Sequence, residues 1–160
     1  MEATQRETPW TAFSDVVGLR TEKKEQFIDL TELVAERVRR SGVRFGLASV
    51  QARHTTAAVV VNEDEPLLRA DMHRLLERMA PCGIPYAHDD FSQRLTLEPD
   101  ERRNGASHCR SLLLGPTETL QVMEGTLQLG RWQRVFLVEL DGPRRREVSI
   151  LVIGLRGLDE

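Results

Sequence analysis

The sequence predicts an α+β fold with a mostly antiparallel or mixed sheet system. Three observations carry this. Strand-like segments outnumber helical ones, only two segments have a helical period, and no strand–helix–strand rhythm recurs. Residues 13–19 read as a first strand and 26–30 as a short second one. A helix follows, capped by Asp29 or Thr31, burying Leu33, Val34, Ala35 and Val38, and stopped by Ser41-Gly42. Strands are expected at 45–52 and 56–61, and the second is central because 57–61 is apolar on both faces. The second helix, 66–79, has Pro66 in its first turn and one apolar stripe: Leu67, Leu68, Met72, Leu75, Leu76 and Met79. Pro81 ends it, and 81–107 reads as a long irregular stretch. The remainder reads as strands at 111–114, 119–123, 134–140 and 147–153, with turns at Gly125, Gly130 and Asp141-Gly142-Pro143.

The length of 160 residues fits one domain, taken as 13–160 after a polar N-terminal segment, 1–12. Apolar residues at 40% and charged residues at 29% are ordinary for a globular chain with a real core. A net charge of -3 argues against a general nucleic-acid binder, and 5% aromatics against a base-stacking platform. Two cysteines, Cys82 and Cys109, make no disulfide framework. With no long apolar run and no leader pattern, the expectation is a cytoplasmic protein without a membrane partner.

The chemistry-bearing residues begin with three of the four histidines. His54 opens His54-Thr55-Thr56-Ala57-Ala58, His88 lies in a polar loop, and His108 precedes the run expected as a strand. Neutral imidazole is a common metal ligand, and three leave a coordination position open. Against this stands the fact that single histidines are more often packed or solvated. His73 falls on a polar helix face with Arg69 and Glu77 and is left out. Glu63, in the acidic run before the second helix, reads either as a complement to the helix dipole or as a carboxylate for metal or base work. Thr55 could orient phosphate, although strand threonines are usually plain β-formers. Arg144-Arg145-Arg146 reads as an anion clamp or, more commonly, a solvated hairpin tip.

In order along the chain, several short motifs resemble the YjbQ family. They are His54-Thr55-Thr56-Ala57-Ala58, Asn62-Glu63, Tyr86-x-His88, Asn104 with His108, Leu114-Gly115-Pro116, Gly130-Arg131-Trp132-Gln133, and Glu139-Leu140-Asp141-Gly142-Pro143-Arg144. The resemblance spans about 13–154. Each motif alone is weak, but the ordered set is specific. The resemblance implies a β-sandwich-like sheet system with two main helices, a homotrimer, and metal near the clustered histidines. It also implies a secondary thiamine-phosphate synthase activity, joining a hydroxymethylpyrimidine diphosphate to a thiazole phosphate with release of pyrophosphate. This chain departs from the family where Arg131 replaces a threonine and where Ser107-His108-Cys109-Arg110 replaces an Ala-His-x-Lys-like run.

The resulting expectation is a metal-binding transferase. His54, His88 and His108 hold a divalent ion, zinc foremost, with magnesium an alternative for a diphosphate substrate. Glu63 and Arg110 are the catalytic candidates, the arginine stabilising leaving-group charge. Thr55 and Asn104 orient a phosphorylated small molecule. A metal-dependent hydrolase and a non-catalytic binding module for a phosphorylated small molecule are the rivals.

Overall fold

The computed structural model describes residues 10–156. Eight strands and three helices follow in the order β1 (Trp10–Arg20), β2 (Gln26–Asp29), α1 (Thr31–Ser41), β3 (Val43–Ala52), β4 (Ala57–Glu63), α2 (Pro66–Met79), α3 (Gly105–Leu114), β5 (Thr117–Met123), β6 (Thr126–Leu127), β7 (Gln133–Glu139) and β8 (Arg145–Arg156). The strands form two sheets, β1-β8-β3-β5-β6 and β2-β7-β4. Every described pairing is antiparallel. The fold is therefore α+β, as the sequence predicts, with three helices rather than two.

Period-two alternation decides which faces meet. Along β8, Arg146, Val148, Ile150 and Val152 are buried while Glu147, Leu151 and Ile153 are exposed. The buried set meets Val50, Ala52, Val59, Val135 and Leu137, closing a core between the two sheets. Leu30, Val34 and Val38 of α1 join it. Asp29 Oδ1 accepts from the Thr31 amide at 2.8 Å at the start of α1, and Gly42, at φ 69°, stops it in the left-handed region. A second core packs Phe136, Val138 and Leu140 with Leu76 of α2, and Leu114 of α3 lies against it.

Two features depart from the sequence reading. The apolar stripe of α2 has the right period, yet only Leu76 is buried; Leu67, Leu75 and Met79 are exposed. The larger correction is α3. Residues 111–114 were expected as a strand, but they are the end of a helix that starts at Gly105. A four-residue apolar run bounded by Gly115-Pro116 has no period that separates strand from helix. The polar turn ahead of it, Gly105-Ala106-Ser107-His108, supplies the rest of the helix. His108 thus lies within a helix rather than in a loop.

Candidate functional site

One end of the two-sheet core opens into a cavity of about 750 Å³. Three parts of the chain wall it. The β3–β4 connection supplies His54 and Thr55. The segment between α2 and α3, with the start of α3, supplies His88, Asn104 and His108. The start of β8 supplies Arg144 and Arg146. The three histidines expected to converge all line this cavity, and His73 lines a separate one beside Phe27.

His88 and His108 come together. Their rings meet edge to face with centroids 4.7 Å apart. His88 sits on a short 3-10 turn, Ala87–Asp89, and a close approach docks that turn on α3. A Cβ on Gly105 would lie 2.5 Å from Tyr86 Cβ, so only glycine lets the Tyr86 segment lie against the helix start. The Asp89 carboxylate accepts from the Gly105 amide at 2.9 Å.

A hydrogen-bond relay sets the His88 tautomer. Asn104 Nδ2 donates to Asp141 Oδ2 at 2.8 Å, a carboxylate that can only accept. That fixes the Asn104 amide orientation, so its Oδ1 faces His88 Nε2 at 3.1 Å and accepts from it. In the neutral ring the Nδ1 lone pair is then free. A carboxylate–amide–imidazole chain of this kind is how proteins orient metal-binding or proton-transferring histidines. Asn104, expected as a substrate ligand, has its oxygen and one amide proton engaged in positioning His88.

His54 stands differently. Its Nε2 accepts from the Glu147 backbone N–H at 2.7 Å. In the neutral ring Nδ1 then carries the proton, and the one lone pair is already used. Among the described residues no three His, Cys, Asp or Glu side chains are grouped so that they could hold a metal ion. Of the three histidines that share the cavity, His54 has its lone pair taken by the Glu147 amide, while His88 keeps Nδ1 open. Burial, and then the Arg146 guanidinium, hold His54 below the ordinary histidine range. Burial, and then the charge of the His88 ring, do the same to His108.

Neither proposed catalytic residue lines the cavity. Glu63 ends the seven-residue strand β4, whereas His54 to Thr56 precede its start. At about 3.3 Å per residue the two ends are roughly 20 Å apart. Its neighbour Glu65 accepts from the Leu67 and Leu68 amides at 2.9 and 2.7 Å, so that acidic run includes the cap of α2. Arg110 lies two residues beyond His108, about 200° round the helix, and points away. It is 1% exposed and donates to the Ala80 carbonyl at 2.9 Å and to the carboxylates of Glu25 and Glu77. Its donors knit α2, α3 and the β1–β2 turn together.

The arginine run after Gly142-Pro143 has the opposite outcome. Arg144 and Arg146 wall the cavity, while Arg145 faces another recess. Arg146 is buried and pairs with Glu139, buried on β7, through its Nε at 2.7 Å and through Nη2. Nη2 also donates to Thr56 Oγ1 at 2.9 Å. Glu139 accepts further from the Leu140 and Asp141 amides and from Thr21 Oγ1 at 2.8–2.9 Å. Sequence reasoning passed over Arg94 and gave Glu139 no chemical role of its own, while Arg146 was weighed with its neighbours as an anion clamp. The spacing of Glu139, Asp141, Arg144 and Arg146 around one turn was visible, but not that the turn faces the histidines.

Two antiparallel sheets with an arginine- and histidine-lined cavity at one end define the class of protein. The model of the family described as UPF0047 protein YjbQ-like matches residues 15–155, and the chain belongs to that family. A UPF0047 protein of Methanothermobacter thermautotrophicus is 35% identical over 142 residues, covering 89% of this chain and 92% of the relative. YugU of Bacillus subtilis is 31% identical over 137 residues, covering 85% and 96%. Among solved structures, a YbjQ-like protein of unknown function from Sulfolobus solfataricus superposes with TM-score 0.82 at 29% identity, covering 91% of this chain and 99% of that one. A YugU orthologue from Clostridium acetobutylicum gives 0.76 at 32%, covering 86% and 98%. No helix among the described residues is long and apolar enough to cross a membrane.

Proposed function

We propose that this protein is a transferase of the secondary thiamine-phosphate synthase type, acting on phosphorylated small molecules in the His88–His108 cavity. The observation that carries the reading is the oriented pair His88–His108 sharing one cavity with Arg144 and Arg146. In the reaction, the bond between the pyrimidine's methylene carbon and the diphosphate oxygen breaks. The thiazole nitrogen takes that carbon, and pyrophosphate leaves. Charge builds on the leaving group, so the chain must supply cations where the diphosphate lies. The cavity arginines would contribute to this, Arg144 and Arg146 also pairing with Asp141 and Glu139, and Arg110, outside the cavity, would not. Thr55 is exposed and lines the cavity, which supports a substrate contact there.

A divalent ion, zinc or magnesium, would be held by His88 Nδ1 and His108, with His54 joining only if it released the Glu147 amide. When bound, such an ion would neutralise leaving-group charge. The assembly proposed is a homotrimer. Its support is the outer face of the five-stranded sheet, where Val16, Leu47, Leu151 and Ile153 are exposed with nothing of the described chain over them.

The test supplies hydroxymethylpyrimidine diphosphate and thiazole phosphate with zinc or magnesium and follows pyrophosphate and the joined product together. Both should appear in equal amounts and vanish in His108→Ala. Pyrophosphate or phosphate without the joined product would indicate a hydrolase instead. Binding with no turnover would indicate a binding module. Light scattering should report three copies at micromolar concentration and one in Leu151→Glu; a monomeric parent protein would refute the trimer.

A further inference from the structure

Arg94, in the segment between α2 and α3, carries the one buried side-chain nitrogen or oxygen without a hydrogen-bond partner among the described residues, its Nη1. Buried donors in folded proteins are almost always paired, so an orphan on a residue that lines a cavity calls for a partner. The rest of the Arg94 guanidinium is held. Nη2 donates to Glu101 at 3.0 Å, and the group lies 5.9 Å from the centre of the Phe91 ring. Arg146 shows the same asymmetry from the other wall. Its Nε and Nη2 are consumed by Glu139 and Thr56, while Nη1 makes no hydrogen bond among the described residues. Both residues line the same cavity.

We propose that Arg94 and Arg146 form a two-sided cradle for a diphosphate or phosphate ester, each offering its free Nη1 edge to phosphoryl oxygens. Two guanidinium groups fixed on separate elements suit a ligand with many acceptor oxygens on more than one side. Glu139 and Thr56 make the Arg146 half rigid before ligand arrives. Glu101 competes for the Arg94 half: the hydrogen bond from Arg94 keeps its carboxyl ionised, below the ordinary range, and its charge opposes an incoming anion. Glu98 and Asp100 line the same wall, and the cations that offset them there are Arg94 and Arg102, the latter with its Nη1 donating to the Asp141 carbonyl at 3.1 Å. The cradle deepens the transferase reading by naming the groups that would hold its diphosphate, and its test needs no turnover.

Arg94 carries the experiment, because removing Arg146 would strand the buried Glu139. Calorimetric titration with inorganic pyrophosphate, at fixed ionic strength and without metal, is compared across the parent protein, Arg94→Gln, Glu101→Gln and the remote surface variant Arg74→Gln. The parent should bind, Arg94→Gln should lose roughly tenfold or more in affinity, and Arg74→Gln should match the parent. Glu101→Gln should bind as tightly as the parent or tighter, since it removes only a competing charge. If the Arg94–Glu101 pair merely orders the segment, Glu101→Gln will weaken binding as Arg94→Gln does, and the cradle is refuted. Absence of pyrophosphate binding by the parent, or unchanged affinity in Arg94→Gln, refutes it equally. Arg94-dependent binding without product in the transferase assay upholds the cradle and removes the transferase reading.

Discussion

Glu139 commits both carboxylate oxygens to Arg146, and the two side chains are buried together beside the cavity. Burial pushes the Glu139 carboxyl up, but hydrogen bonds from Arg146 and the Asp141 amide outweigh it and hold the group below the ordinary glutamate range. Glu139→Ala leaves a buried guanidinium without its counter-charge, at a cost of about 3–5 kcal/mol. Thermal melting should fall by roughly 10 °C. Because the folded group is the stronger acid, its contribution is complete above the unfolded glutamate pKa and is lost as pH falls through the lower folded value. Acid titration of the parent should show this loss, and Glu139→Gln should flatten it. A melting temperature unchanged in Glu139→Ala would contradict the assignment.

His54 and His108 titrate the other way. Both are held below the histidine reference of 6.5, by burial first and by neighbouring positive charge second. Between the folded and unfolded values the unfolded chain binds more protons. Their contribution to stability is therefore full above about pH 6.5 and declines as pH falls below it. Proton NMR of the ring signals should place both midpoints below 6.5. Denaturant midpoints should drop from pH 7.5 to 5.5, less steeply in His108→Gln. Midpoints at or above 6.5 would overturn the burial argument.

Gly105→Ala tests how His88 is brought to His108. The added methyl meets Tyr86 Cβ and Cγ at 2.5 and 2.8 Å, so the Tyr86 segment must move off α3. The expected cost is about 1–3 kcal/mol, with zinc binding at the proposed His88–His108 site weakened because one imidazole shifts and the other does not. Hydrogen exchange should rise at residues 86–90 and hardly change in β7 or β8. Zinc affinity equal to the parent's would show that the contact does not place His88.

Arg110→Ala separates a structural role from a catalytic one. The variant should lose stability, through the unpaired Ala80 carbonyl and the released Glu25 and Glu77, while the folded protein binds pyrophosphate as the parent does. Loss of pyrophosphate affinity without loss of stability would return Arg110 to the site.

Local pattern determined much of this molecule. Alternation along 13–19, 45–52 and 147–153, the capped period of 31–41 and the Pro66 start of α2 were readable because each depends on neighbours within a few residues. The order of short motifs was enough for the family. The grouping of His54, His88 and His108 in one cavity, with His73 apart, was also within reach of context, since strand ends and polar loops gather at one end of a sheet. Tertiary structure alone decided the rest. The 111–114 run became helical because the turn before it packs on Tyr86 and Asp89, contacts made across 16 or more residues. Arg110 and Arg146 look alike in sequence. One turns from the cavity because it lies 200° round a helix from His108, and the other faces it because strand alternation points Arg146 inward beside Glu139. What a charged side chain does depends on which partners saturate its donors, and some of those partners, Glu25 for Arg110 and Thr56 for Arg146, lie far away in the chain.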